Sequence, residues 1–185
     1  MKKYFILYKP FLIFLGKFLL TYLVLTFVYQ LYLDQFDGEI KEVDGVTKMV
    51  AEHSKDLSFF FNYDAKILPN LNEPAIDFYY NNKKMARIIE GCNGLSVIIL
   101  FISFIVAFSG KKRTTILFLI GGSLLIYILN VVRIALLCIL MYYHPEQEHF
   151  LHGVLFPVFI YGVVFILWII WVNKFSKYAT KNIES

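Results

Sequence analysis

Charge is what this sequence has least of: Asp, Glu, Lys and Arg make up 17% of its 185 residues, while 58% are hydrophobic. A soluble domain is nearer a quarter charged and half apolar. The deficit, with a mean hydropathy of +0.62, excludes an ordinary soluble globular domain and marks an integral membrane protein. Cysteine is scarce, with two residues and therefore one disulfide at most. No HExxH pattern and no carboxylate ligand set accompanies the histidines, so no metal and no other cofactor is expected. Met1-Lys-Lys3 precedes an apolar run, but no small-x-small cleavage site follows it, which makes the N-terminus an uncleaved signal anchor. Internal repeats and low-complexity tracts are also absent.

What is present is a set of long apolar runs, Phe11–Leu33, Leu95–Phe108, Thr114–Tyr143 and Val154–Val172. A membrane-crossing helix needs about 20 such residues. The expected fold is all-α: a single membrane domain, residues 1–185, with four transmembrane helices over about 11–33, 88–108, 114–143 and 150–173. The second helix starts early enough to include Cys92. Lys2, Lys3, Lys9 and Lys17 open the first helix, with Lys17 snorkelling to the headgroups. Lys111, Lys112 and Arg113 separate the second helix from the third, and Lys174, Lys177 and Lys181 follow the fourth. Cytoplasmic flanks collect Lys and Arg, so both termini are expected inside. The net charge of +4 is then a topology signal and not a nucleic-acid signal. The polar segment of about 34–84 becomes an extracytoplasmic loop of ~50 residues, too small to stand as an independent domain. Its turn residues, Leu68-Pro-Asn70 and Asn72-Glu-Pro74, suit a folded or surface-lying loop. Its aromatic clusters, Phe59-Phe-Phe61 and Phe78-Tyr-Tyr80, are expected to pack on the helices or dip into the interface.

Several reactive side chains fall at one depth. At about 1.5 Å per residue, Cys92 lies roughly 29 Å from Lys111, Arg133 roughly 30 Å from Arg113, His152 roughly 33 Å and His149 roughly 38 Å from Lys174. The hydrocarbon core is about 30 Å thick, which puts all four near the outer boundary. Cys138 stands roughly 38 Å from Arg113; this offset separates it from Cys92 beyond disulfide reach and leaves it as packing.

A lone membrane cysteine is ordinarily an inert small hydrophobe. Cys92, in Glu90-Gly-Cys-Asn-Gly94, instead has Gly91 and Gly94 beside it for close backbone approach, and Asn93. A helix starting here lends its dipole to a thiolate and its free N–H groups to an oxyanion. Glu90 raises the thiol pKa or, alternatively, orients Arg133 or a histidine. Arg133, in Asn130-Val-Val-Arg-Ile134, is either a headgroup anchor on a projecting or bent third helix or a group that stabilises negative charge on a carbonyl. Asn130, one turn earlier, shares its face. His149 and His152, spaced i, i+3, suit acid–base chemistry. His144 beside Pro145 reads as loop, and His53 as a solvated loop residue.

Glu-Gly-Cys-Asn-Gly-Leu at 90–95, Asn-Val-Val-Arg-Ile at 130–134 and the histidines opening the last helix resemble, in order and spacing, the exosortase/archaeosortase family, and most of all its short exosortase F type from Bacteroidetes. The resemblance spans roughly residues 85–165. Many family members have about eight helices where this chain has four. It implies a multi-pass enzyme of the bacterial inner membrane, a cysteine protease or transpeptidase acting at the extracytoplasmic face. The implied partner is a membrane-anchored protein with a C-terminal sorting signal. Cys92 is then the nucleophile that forms an acyl-thioester, Arg133 the proton donor or transition-state stabiliser, and a histidine the third member. His149-Phe-Leu-His-Gly153 fits the family's His-x-x-x-Gly through His149, while depth and the short-type resemblance favour His152; His149 is kept as the alternative. The competing reading is a non-catalytic subunit of an export or envelope-assembly complex, its polar groups serving helix–helix hydrogen bonds.

Overall fold

In the computed structural model, residues 2–36, 42–108 and 110–176 are described. Lys177 and Lys181, part of the last basic flank, lie outside them, as do residues 37–41 of the expected loop. Helix α1 (Lys2–Leu33) is apolar around its whole circumference and carries Pro10 near its start. It packs on α3 (Leu95–Ala107). Helix α4 (Lys112–Tyr143) runs without a break, so Gly121-Gly122 does not bend it out of helical structure. Gly122 is there for proximity: a side chain at this position would enter the ring of Phe101 on α3. A final rod, Pro145–Phe175, comprises a 3₁₀ turn (Pro145–Gln147), α5 (Glu148–Phe150), a π turn (Leu151–Leu155), α6 (Phe156–Ile170) and a second π turn (Trp171–Phe175).

Among the described residues, three helices are long and apolar enough to cross a membrane: Tyr8–Leu33, Lys112–Tyr143 and Pro145–Phe175. The span expected over 88–108 is shorter. Gly94, at φ 81°, takes a left-handed conformation open to few other residues, and α3 starts only after it. Its 13 residues reach about 20 Å. Cys92 therefore lies ahead of the helix, in a 3₁₀ turn (Glu90–Cys92).

The segment expected as a loop is the largest departure from an all-α fold. Asp44 accepts hydrogen bonds from the backbone N–H groups of Val46 and Thr47, each at 3.0 Å, and so caps α2 (Gly45–Phe60). This helix buries Thr47, Val50, Ala51, Ser54 and Ser58, a 3.6-period stripe, against α4. Three strands follow, β1 (Ala65–Pro69), β2 (Ile76–Tyr80) and β3 (Lys83–Ile88), in an antiparallel sheet of order β1-β2-β3. Asn81 and Asn82, both at positive φ, form the two-residue β2–β3 turn, a conformation asparagine tolerates well. The two aromatic clusters part company: Phe78 and Tyr80 are buried, whereas Phe59, Phe60 and Phe61 stay exposed. His53 is exposed, as expected, but on α2 and not in a loop, with its Nδ1 2.7 Å from the Tyr127 hydroxyl on α4. His144 caps the C-terminus of α4.

Two cores share α4. Phe101, Ile105, Ile126, Val164 and Trp171 join α3, the first half of α4 and the rod. Val50, Ala51, Ala65, Ile76, Phe78, Ile88, Val131, Ile134 and Cys138 join its second half to α2 and the sheet. At the far end of the helical layer, Trp171 donates its indole N–H to the Phe108 carbonyl at 3.0 Å and Gly110 bridges to Ser176. Phe14 of α1 stacks near Phe108. The α3–α4 junction and the end of the rod thus meet at one end, and the turn holding Cys92 lies at the other.

Candidate active site

Between the two cores, α4 changes from an apolar to a polar face. Asn130, fully buried, donates from Nδ2 to the Cys92 carbonyl at 2.8 Å, and its Oδ1 lies 3.5 Å from Nη1 of Arg133. Asn93, also fully buried, donates to the hydroxyls of Tyr29 on α1 (2.9 Å) and Thr47 on α2 (3.1 Å), and its Oδ1 accepts from the Leu95 N–H. The turn bearing Cys92 is thereby tied to α1, α2 and α4. Buried amides left unpaired cost about 1–3 kcal/mol each, so this network fixes the turn as well as filling space. Gly94 completes it: any side chain there would press on the Asn130 amide, 3.1 Å away, besides straining the backbone.

A cavity of about 300 Å³ opens at this seam. Cys92, Arg133 and His152 all line it, together with β3 residues 84–88, Ile134, Leu137, Met141 and Glu148. His149 does not line it. His152 belongs to the π turn, a helical irregularity common at functional sites. Glu148, four residues earlier, supplies a carboxylate on the same side of the rod. Sequence reasoning missed Glu148, Lys84 and Arg87. The i, i+4 spacing of Glu148 to His152 was the available signal, while Lys84 and Arg87 reach the cavity only because β3 exists.

Three expectations are corrected. Glu90 is exposed and lines a different cavity, with Asp34, Glu42 and Glu73, and so does not orient Arg133 or His152. Of the amides expected to be free for an oxyanion, the three nearest the start of the turn and helix are occupied: Cys92 N–H donates to Ile89 O at 2.8 Å, Asn93 N–H to Glu90 O at 3.2 Å and Leu95 N–H to Asn93 Oδ1. The dipole of α3 begins three residues beyond the thiol. By contrast, Nε of Arg133 is buried with no partner among the described residues. It is a charged donor without an acceptor, on the same cavity as a thiol that is partly accessible and not disulfide-bonded. Cys138 is a buried free thiol in the sheet-side core.

Lys84 pairs with Asp77 at 2.7 Å, and Arg87 with Glu73. Burial alone raises the Asp77 carboxyl, but hydrogen bonds from Lys84 and Asn70 outweigh it and hold the group below its usual 3.8. Burial, with Tyr143 facing it, pushes the Tyr80 phenol up to about 12. Both groups buttress the sheet. Among the described residues, no cluster of His, Cys, Asp or Glu has the arrangement of a metal site.

No curated protein and no solved structure matches the chain. A family model described as transmembrane exosortase matches residues 11–172, which takes in most of α1, the sheet, the Cys92 turn, Arg133 and nearly all of the rod. A match over so much of the chain, on a helical scaffold of membrane-spanning length, shows that this protein belongs to the transmembrane exosortase family.

Proposed function

We propose that this exosortase is a membrane-embedded cysteine protease or transpeptidase that cuts the C-terminal sorting signal of exported, membrane-anchored proteins at the extracytoplasmic face of the bacterial inner membrane. The observation that carries the reading is the meeting of Cys92, Arg133 and His152, from a turn, a long helix and a π turn, on one cavity. In this reading His152 takes the thiol proton as Cys92 Sγ attacks the scissile carbonyl carbon. Arg133 hydrogen-bonds the oxyanion, a role that the Cys92 and Asn93 amides, already bonded, do not take. The C–N bond breaks, the leaving amine takes the proton back from His152, and an acyl-thioester remains. An amine acceptor or water then attacks it, giving its proton to restore the Cys92 thiol. Glu148 is suited to orient the imidazole. Gathering of the α3–α4 junction and the rod's end away from Cys92 supports basic flanks inside and the cavity outside.

The deciding experiment compares the C-termini of envelope proteins in cells making wild type, Cys92→Ala or Cys92→Ser. The expected result is loss of a set of processed C-termini with both variants, at unchanged membrane insertion. Full processing by Cys92→Ala would defeat the enzyme reading and favour a non-catalytic subunit.

A further inference from the structure

The cavity meets β3 in an unusual way. Side chains of a strand alternate between its two faces, so a pocket lying on one face touches every second residue. Here five consecutive residues, 84 to 88, line the cavity, which therefore reaches the strand edge-on, along its main chain. That edge is open: in the order β1-β2-β3 the outer side of β3 has no partner strand. No backbone hydrogen bond from outside the sheet reaches residues 83–88 among those described. The register also slips within this strand. Phe78 faces Ala86 and Tyr79 faces Lys84, leaving Met85 as the extra residue of a bulge, a device that re-aims a strand and often lies beside active sites. Four residues beyond the end of β3 stands Cys92, on the same cavity. Lys84 and Arg87 are neutralised by Asp77 and Glu73, and Glu148 stands against Arg133, so the charges around the cavity balance.

We infer that the open edge of β3 is the substrate-recognition element: an extended segment of the membrane-anchored substrate adds to the sheet as a fourth strand, and its main chain is carried past the Cys92 thiol. The inference rests on the protease reading of the cavity. Strand addition draws affinity from main-chain hydrogen bonds and specificity from alternate side chains. It also presents a peptide in the extended form that a nucleophile at the strand's end requires, and it fills an edge that is otherwise a liability to aggregation.

Two variants and a peptide series test it. Successive residues of an edge strand point their N–H groups alternately inward and outward. Of Ala86→Pro and Arg87→Pro, one removes an outward donor and leaves the β2–β3 ladder intact, and the other breaks the ladder. In the C-terminal processing assay, the variant that keeps wild-type thermal unfolding is expected to lose processing about tenfold or more, as for lost main-chain hydrogen bonds. Arg87→Ala, which removes the side chain and keeps the main chain, is expected to lose less processing than the proline variant does. Wild-type processing by the stably folded proline variant would overturn the inference. So would a change of oligomeric state with processing intact, since the edge would then pair with a second copy of the chain. Should both proline variants unfold, a synthetic peptide spanning the mapped cleavage site, N-methylated one residue at a time, is given to the full-length wild-type enzyme in lipid nanodiscs. Loss of cleavage at every second position supports strand addition, and loss without that alternation overturns it. Absence of any Cys92-dependent product defeats the protease reading itself, whereas Cys92-dependent cleavage indifferent to the edge defeats strand addition alone.

Discussion

The two halves of α4 live in different chemistry. Its first half packs through rings and aliphatic chains, with Phe118 against Trp171 and Gly122 under Phe101, and the helical layer turns apolar side chains outward as well as inward. From its midpoint on, α4 meets hydroxyls, amides and a histidine: Tyr127 meets His53, Ser54 reaches the Val131 carbonyl and Asn130 holds the Cys92 turn. An apolar layer gains stability from area and is indifferent to direction. Hydrogen bonds are directional, and they are concentrated where a thiol and a guanidinium must be aimed. Apolar packing thus runs along the whole helix, through Val131, Ile134 and Cys138 as well, while the directional bonds to other elements are confined to its second half and midpoint.

This division makes substitutions in the two halves fail differently. His152→Ala is expected to slow processing by about 10²–10⁴-fold, the usual worth of a general acid–base group, with thermal unfolding in detergent unchanged. His149→Ala, off the cavity, is expected to retain at least partial activity; the reverse result would assign the role to His149. In the apolar half, Ile126→Ala is expected to cost about 2–5 kcal/mol of stability while the surviving folded enzyme works normally. Asn130→Ala is expected to lose about 1–3 kcal/mol by orphaning the Cys92 carbonyl and, unlike Ile126→Ala, to reduce processing per folded molecule, measured as rate against folded fraction. Equal ratios of lost rate to lost stability in these two variants would erase the distinction.

The smallest effect concerns acid. A carboxyl whose folded pKa is depressed contributes stability that is fully present above its unfolded value and is lost as the pH falls through the folded one. For Asp77 the window lies below about pH 3.8, and with Lys84 half exposed the loss is about 1 kcal/mol or less. Amide exchange in β2 and β3 is expected to quicken there before that in α3, and Asp77→Asn to remove the difference. Acid-induced opening that begins in α3 would contradict this order.

The apolar half was the legible one. A run of about 30 apolar residues has few solutions in a bilayer, and α4 at Lys112–Tyr143 differs from the expected 114–143 by two residues at one end. The extramembrane part was harder because its signals are short. Asp44 capping a helix and Asn81-Asn82 between two strand-like runs were both in the sequence, but each is a dipeptide-scale cue. The end of α3 turned on one backbone angle at Gly94, which composition does not reveal. For the site, equal depth singled out Cys92, Arg133 and His152, which line one cavity, but depth says nothing of azimuth. Glu90 was on the right level and faces the wrong way, and Lys84 and Arg87 belonged to a strand not foreseen.

The rod carries one further lesson. A π turn is one residue too many for its length of α-helix, and α6 has such a turn at each end, Leu151–Leu155 and Trp171–Phe175. Each extra residue absorbs a mismatch in rotational phase between neighbouring stretches. The lipid-facing middle therefore keeps its own phase for packing on α3 and α4, while His152 above and Trp171 below are each dialled to a different setting. Deleting one residue within 151–155 should restore regular α-helix, keep α6 seated and swing His152 off the cavity, uncoupling a membrane anchor from the tool mounted on it.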